Sequence, residues 1–402
     1  MTHVEEVTDK PAERERATPR EWLGVVAMAA GTFTVVTAEL LPVGLLTPMR
    51  TSLGVTEGLA GLTLAITGLV AAVSSPLLTS LLGRFDRRLV LCVLMAVLLT
   101  GNLGAAWAPD FGVMVVARVL VGIGMGGVWA IASGIVVRLV PPKSVRPATS
   151  VVFSGVAVAS VLGIPAGAYV GALAGWRAAF MAAAGLALLV LVAMAVFLPG
   201  LPAEQAVPLR GVLRLFGEPQ MRTGLIVVAF LVTGHFAAYT YVRPVLEDVS
   251  GAGAGTIGTL LLVYGIAGVV GNFISGAGAG RSPRRTLMVI SAVLAATVLL
   301  LPAVGGSLPV AGVLMAVWGL SYGGVSVSTQ TWILAASSPQ AREGASSLFV
   351  GVFNGAIALG AFVGGQAADG IGITSAMWLG GALALGALLT AATGRAPSSG
   401  KL

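Results

Sequence analysis

The chain has 402 residues, of which 56% are hydrophobic and 10% charged, with a mean hydropathy of +0.96. A soluble domain carries about 25% charged residues, so this chain has too little polar surface to cover a globule in water and reads as a membrane protein. The formal net charge is +7, but the bases lie in short loops between apolar runs, which marks topology rather than nucleic-acid binding. A single cysteine, Cys92, and two histidines, His3 and His235, leave no disulfide and no Cys/His metal cluster to build, so no metal and no cofactor is expected.

Residues 1–21 form a polar, charge-mixed tail that reads as cytoplasmic and disordered. The apolar run that follows is too long for the core of a cleaved leader and reads as a first span. Twelve runs meet the length needed to cross a bilayer, about 20 residues. They fall at 22–48, 58–82, 89–108, 111–140, 148–171, 176–198, 222–246, 255–277, 286–304, 308–335, 344–368 and 373–393. The expectation is an all-α membrane protein of twelve transmembrane helices in two six-helix halves, 22–198 and 222–393. A cytoplasmic linker at 199–221 joins them, and a short cytoplasmic tail at 394–402 follows.

A basic box, Gly83-Arg84-Phe85-Asp86-Arg87-Arg88, follows the second span. Gly280-Arg281-Ser282-Pro283-Arg284-Arg285 repeats its spacing after the second span of the other half. The pair points to a duplicated architecture, and both boxes are expected to act as gating latches. Of the 23 basic residues, Arg50, Arg177 and Arg243 fall on the far face and Arg118 lies inside a span. The rest fall on the face of the termini, which puts both termini in the cytoplasm. Glycines inside the spans, such as Gly163, Gly167 and Gly171, read as close helix packing.

Glu39 is the acid that lies well inside an apolar span. A charge there costs about 2.5–3.5 kcal/mol, so it needs a polar cavity, a proton or a partner, and Arg50 at the outer mouth is one candidate partner. A hydrated position at the end of a tilted span is the alternative. Arg118 shares a helical face with Gly122, Met125, Trp129 and Ser133. It either answers the proton site and substrate or anchors backbone carbonyls of a neighbouring span. His235, Tyr239 and Arg243 recur every fourth residue in span seven, and His235 is of the type that titrates near neutral pH. Tyr322, Ser326, Thr329 and Gln330 mark one face of span ten, Asn354 lies in span eleven, and Tyr264 and Asn272 lie in span eight. Proton coupling is therefore assigned to Glu39, Arg118 and His235. Substrate binding is assigned to Trp129, Ser133, Tyr239, Asn272, Tyr322, Ser326, Gln330 and Asn354. Aromatic, amide and hydroxyl groups of this kind fit a neutral polar ring system, although each alone also fits an interhelical hydrogen bond.

Two enzyme-like strings fall inside spans. Gly319-Leu320-Ser321-Tyr322-Gly323 matches a nucleophile pattern without the strand-to-helix turn that chemistry needs. Gly122-Ile123-Gly124-Met125-Gly126-Gly127 contains a dinucleotide-type pattern without a preceding strand. No phosphate loop for an ATP-driven pump is present in the sequence, and no enzyme activity is expected.

Several stretches together resemble the major facilitator superfamily, in its twelve-span drug/proton antiporter branch. Glu39-Leu40-Leu41-Pro42-Val43-Gly44-Leu45-Leu46-Thr47-Pro48 is similar to the branch's first-helix motif, and residues 79–88 stand where its loop motif stands, with Gly83 in place of the usual acid. Arg118 with Gly122 resembles the fourth-span motif. Gly163-Ile164-Pro165-Ala166-Gly167 resembles the fifth-span antiporter motif, which adds Pro165 to the gating residues. Within the branch, Gly126–Ala130, Arg138–Pro142, Tyr239–Pro244, Gly319-Leu320, Thr331–Ile333, and Gly364-Gly365 with Asp369 resemble purine ribonucleoside efflux proteins. Sugar and arabinose efflux relatives share the Tyr-Thr-Tyr stretch. The resemblance implies a monomeric secondary transporter of a bacterial inner membrane that exports a small polar molecule in exchange for protons. Purine ribonucleosides lead, and sugar or multidrug efflux is the alternative. The expected partners are the substrate, protons and the lipid bilayer.

Overall fold

A computed structural model describes residues 17–81, 85–202, 217–338 and 342–395. Among them, twelve segments are long and apolar enough to cross a membrane. In chain order the α-helices are α1 (Pro19–Leu53), α2 (Glu57–Leu81), α3 (Arg87–Ala106), α4 (Phe111–Leu139), α5 (Val145–Val158), α6 (Ile164–Ala174), α7 (Trp176–Phe197) and α8 (Pro219–Tyr239). They continue with α9 (Val242–Ser250), α10 (Ala254–Arg281), α11 (Pro283–Val304), α12 (Leu308–Tyr322), α13 (Val325–Ala335), α14 (Arg342–Gly370) and α15 (Ser375–Thr393). The first helix starts earlier than the expected residue 22, because Thr18 and Glu21 form a reciprocal capping box ahead of Pro19. Most of the N-terminal tail, the central part of the linker and the end of the C-terminal tail lie outside the described residues, as do Gly83 and Arg84.

Three expected spans are not continuous helices. Span five is α5 and α6 joined by a π-helical turn, Ala159–Gly163. Pro165 follows it with no N–H to give to the turn before, and the wider turn absorbs the loss. Span seven breaks at Thr240–Tyr241, between α8 and α9. Pro244 cannot donate to the carbonyl of Thr240, so the helix ends and restarts with Pro244 in its first turn, where no donor is needed. Span ten breaks at Gly323-Gly324, between α12 and α13, where two residues without a side chain permit the bend.

Small residues set the helix spacing. A methyl added at Gly163, Gly167 or Gly171 would stand 2.4, 2.1 or 2.3 Å from Thr37 Oγ1, Leu41 Cδ1 or Leu45 Cδ2 of α1, so the expected small-residue face is a real seam. A second seam joins α10 to α12. A methyl on Gly271 would lie 1.9 Å from the Leu320 carbonyl oxygen, and one on Gly323 would lie 1.9 Å from that of Gly268. The glycines of both enzyme-like strings serve in seams of this kind, Gly122 against Thr67 and Val70, and Gly319 against Tyr264.

The basic boxes also take their places. Asp86 caps α3 and Ser282 caps α11. Arg88 donates to the carbonyl of Ala195 in the last turn of α7, and Arg284 donates to those of Ala391 and Ala392 in the last turn of α15. The structural repeat therefore matches Arg88 to Arg284, not to Arg285 as the sequence spacing has it. Each arginine clamps the final helix of its own half. Arg87, Arg281 and Arg285 stand in or beside the same loops.

Among the described residues, hydrogen bonds join the two halves at the end opposite the termini. The Asp369 carboxylate of α14 accepts from the Gly58 N–H at 2.9 Å and from the Thr56 hydroxyl at 2.7 Å, closing the start of α2. Arg243 of α9 donates to the Gly44 carbonyl of α1, and Thr47 donates to Glu247 at 2.6 Å.

Candidate functional site

Arg118 sits in α4, fully buried. Its Nη2 donates to the Ala38 carbonyl of α1 at 2.8 Å and its Nε donates to Thr67 Oγ1 of α2 at 3.1 Å. Its guanidinium also lies 5.7 Å over the ring of Phe180 in α7. Four helices thus meet on one side chain, and Nη1 remains buried without a partner. Glu39 follows Ala38 on α1 and is 5% exposed. Its Oε1 is likewise buried without a partner. Arg118 is within its electrostatic reach, yet the two form no ion pair within 4 Å. Arg50, the other candidate partner, pairs with Glu57 at 2.9 Å instead.

Across from Glu39 stands an aromatic cluster of the second half. The His235 ring stacks on Tyr322 with centroids 3.3 Å apart and on Tyr239 with centroids 4.9 Å apart. Tyr239 stacks in turn on Tyr264 at 4.7 Å, and Trp318 packs edge-on against the set. The Trp318 indole N–H donates to His235 Nδ1 at 3.0 Å, and the Tyr264 hydroxyl lies 3.4 Å from Nε2. The hydroxyls of Tyr239 and Tyr322 are buried without partners. Tyr322 is within electrostatic reach of Glu39, which sets this cluster of the second half near the carboxylate of the first. Glu39 and Arg118 from one half and Tyr239 and Tyr322 from the other each present an unsatisfied polar atom. A buried group in that condition costs about 1–3 kcal/mol unless something binds it.

The remaining expected residues are spread more widely. Trp129 stacks on Phe153 of α5 at 6.4 Å. Asn272, Ser326 and Gln330 are exposed, towards the end of the molecule that carries the termini. Asn354 donates to the Val350 carbonyl of its own helix. The side chain of Ser133 lies outside the described residues. Arg243 does not join His235 and Tyr239, because the break at Thr240–Tyr241 turns it away to Gly44 and Glu247. Pro165 is buried beside the π turn. Thr67 and Trp318 are further members of the site that sequence reading passed over. Thr63 and Thr67, one turn apart in an apolar helix, were a usable signal for the first. Trp318 has no such signal, since one indole in an apolar run reads as packing.

The family model described as Major Facilitator Superfamily matches residues 25–334 and 225–401. The chain is 37% identical over 365 residues, 90% of its length and 92% of the relative's, to the purine ribonucleoside efflux pump NepI of Escherichia coli K12, and equally to that of Shigella flexneri. In fold it resembles a bacterial homologue of the human lysosomal transporter Spinster in an inward-facing, occupied conformation. The TM-score is 0.73 at 17% identity, with 94% of this chain and 96% of the other covered. It also resembles the human organic anion transporter MFSD10, with a TM-score of 0.65 at 19% identity and coverage of 93% and 100%.

Proposed function

The chain belongs to the major facilitator superfamily, a multi-pass membrane transporter on that ground, and we propose that it exports purine ribonucleosides in exchange for protons. The observation that carries this reading is the facing set of unsatisfied polar atoms, Glu39 Oε1, Arg118 Nη1 and the Tyr239 and Tyr322 hydroxyls, beside a wall of stacked rings. A purine stacks on such rings with a gain of about 0.5–1.5 kcal/mol per aromatic pair. The ribose hydroxyls satisfy the orphan donors and acceptors. The identity to purine ribonucleoside efflux pumps supports the same substrate class.

The basic loops support a reading with both termini in the cytoplasm of a bacterial cell, and the protein acts as a monomer in the inner membrane. The hydrogen bonds of Asp369, Arg243 and Thr47 then close the outer side. Nucleoside enters from the cytoplasm and reaches the central site, with Trp129, Ser133, Asn272, Ser326, Gln330 and Asn354 along its way. The halves rock, the outer contacts part, and the substrate leaves as a proton from outside loads Glu39 beside Arg118. The inward charge gains about 2.3 kcal/mol per 100 mV of membrane potential. The π turn before Pro165 and the two basic loops act as the gating elements of the cytoplasmic side.

The test is uptake of radiolabelled inosine into inside-out vesicles with an acid interior. Accumulation that collapses when the gradient is dissipated is the expected result. No inosine movement by the wild-type protein overturns the substrate, and movement of a labelled pentose in its place favours the sugar-efflux alternative.

A further inference from the structure

His235 and Trp318 each lie one helical turn before a break. His235 precedes Tyr239, the last residue of α8, and Trp318 precedes Tyr322, the last residue of α12. Both are fully enclosed, at 1% and 0% exposure. The indole N–H is a donor only, so at 3.0 Å it requires an unprotonated Nδ1. A neutral imidazole then carries its proton on Nε2, where the Tyr264 hydroxyl oxygen accepts it at 3.4 Å. A doubly protonated ring would set two N–H groups against each other at Trp318. The rings around His235 are Phe236, Tyr239, Tyr264, Trp318 and Tyr322. Glu39 lies within electrostatic reach of Tyr322.

We propose that Trp318 and His235 are positioning residues: their hydrogen bond locks the imidazole plane, and that plane sets the rings of Tyr239 and Tyr322, whose hydroxyls meet the substrate. The two tyrosines are the last residues of their helices, each just before a break. The imidazole is layered between them, nearly parallel to both, at 10° to Tyr322 and 22° to Tyr239. A fixed rung one turn back therefore bears on both rings at once. His235 serves the exchange through geometry, and the transported proton does not pass through it. The substrate arm of this inference rests on the nucleoside reading.

The test uses the full chain in proteoliposomes with three variants, Trp318→Phe, His235→Phe and His235→Asn, each checked for an unchanged thermal midpoint. A second measurement uses 15N-histidine labelling in a His3→Ala background, which leaves one imidazole in the protein. The expected spectrum has the proton on Nε2 and none on Nδ1, and Trp318→Phe moves the Nδ1 signal. Trp318→Phe and His235→Phe raise the apparent KM for inosine by about tenfold, the scale of one aromatic contact, with maximal rate within about twofold. His235→Asn keeps an acceptor for the indole and loses the stack, so its KM rises as well. Accumulation driven by a pH gradient survives in all three. A ring protonated on both nitrogens at the pH of transport overturns the proposal. So does loss of gradient-driven accumulation in His235→Phe with inosine exchange intact, which makes His235 a proton carrier. If the wild type moves no inosine, the substrate reading fails, and the 15N spectrum still decides how the imidazole is held.

Discussion

Arg118 reaches into three neighbouring helices from a fourth, and its geometry separates it from lysine. A guanidinium can give one N–H to the Ala38 carbonyl and another to Thr67 Oγ1 while keeping Nη1 free. An ammonium on a flexible stem cannot hold that fork. Arg118→Lys is expected to insert normally and to lose more than about tenfold in inosine transport, measured as initial uptake per inserted protein. A lysine variant with wild-type uptake would make the fork irrelevant. For Glu39→Gln the expectation is loss of gradient-driven accumulation, while exchange of inosine for inosine across the same vesicles persists. Accumulation that survives places the proton elsewhere. Both residues were legible in the sequence, because a charge inside an apolar run has to be accounted for. Their partners were not. Ala38 contributes a backbone carbonyl that no side-chain pattern marks, and Arg50 looked available to Glu39 until the fold gave it to Glu57.

The apolar runs announced the number of elements, since their length is set by the bilayer. Interruptions inside a run carry no change of hydropathy and stayed hidden. α1 accepts Pro42 and Pro48 without breaking, whereas Pro244 ends one helix and starts another. That contrast depends on what surrounds the freed carbonyl. Reading span seven as one helix therefore grouped Arg243 with His235 and Tyr239, which the turn separates. The glycine seam between α10 and α12 makes a prediction at this scale. Gly271→Ala places a methyl 1.9 Å from a backbone oxygen that has no rotamer to escape into. Overpacking of that order costs about 1–3 kcal/mol or more. The thermal midpoint in detergent is expected to fall by several degrees. Gly351→Ala, where nothing lies within 4 Å, is the control and should leave the midpoint unchanged or slightly higher, since alanine favours a helix interior by about 1 kcal/mol. Equal midpoints for the two variants would show that the seam yields.

Across the whole molecule, one carboxylate helps to close the end opposite the termini. Asp369 takes an N–H and a hydroxyl from the first turn of α2, so a residue of one half caps a helix of the other. Hydrogen bonds to a charged group contribute about 1.5–3 kcal/mol each. The half-buried pair Arg50–Glu57 nearby, still reached by solvent, contributes about 0–1 kcal/mol. Asp369→Asn is therefore expected to shift the protein towards the outward-open state by about tenfold or more. In a Cys92→Ser background, a cysteine introduced as Val43→Cys reports the shift, because Val43 is fully buried against residues of the other half. A membrane-impermeant thiol reagent added outside should label it faster in the Asp369→Asn protein. Equal labelling rates would mean that Asp369 does not hold the gate.

The clamps at the other end have a consequence for how the protein can be made. Arg88 fastens α7, and Arg138 and Asp86 hold the segment just after it at Pro202 and Leu201. Arg284 fastens α15 in the same way. Each half is thus tied at this end by an arginine of its own. Two separate polypeptides, one ending and the other beginning within residues 203–216, should assemble in the same membrane into a working transporter. The chain is, in that sense, two genes read as one.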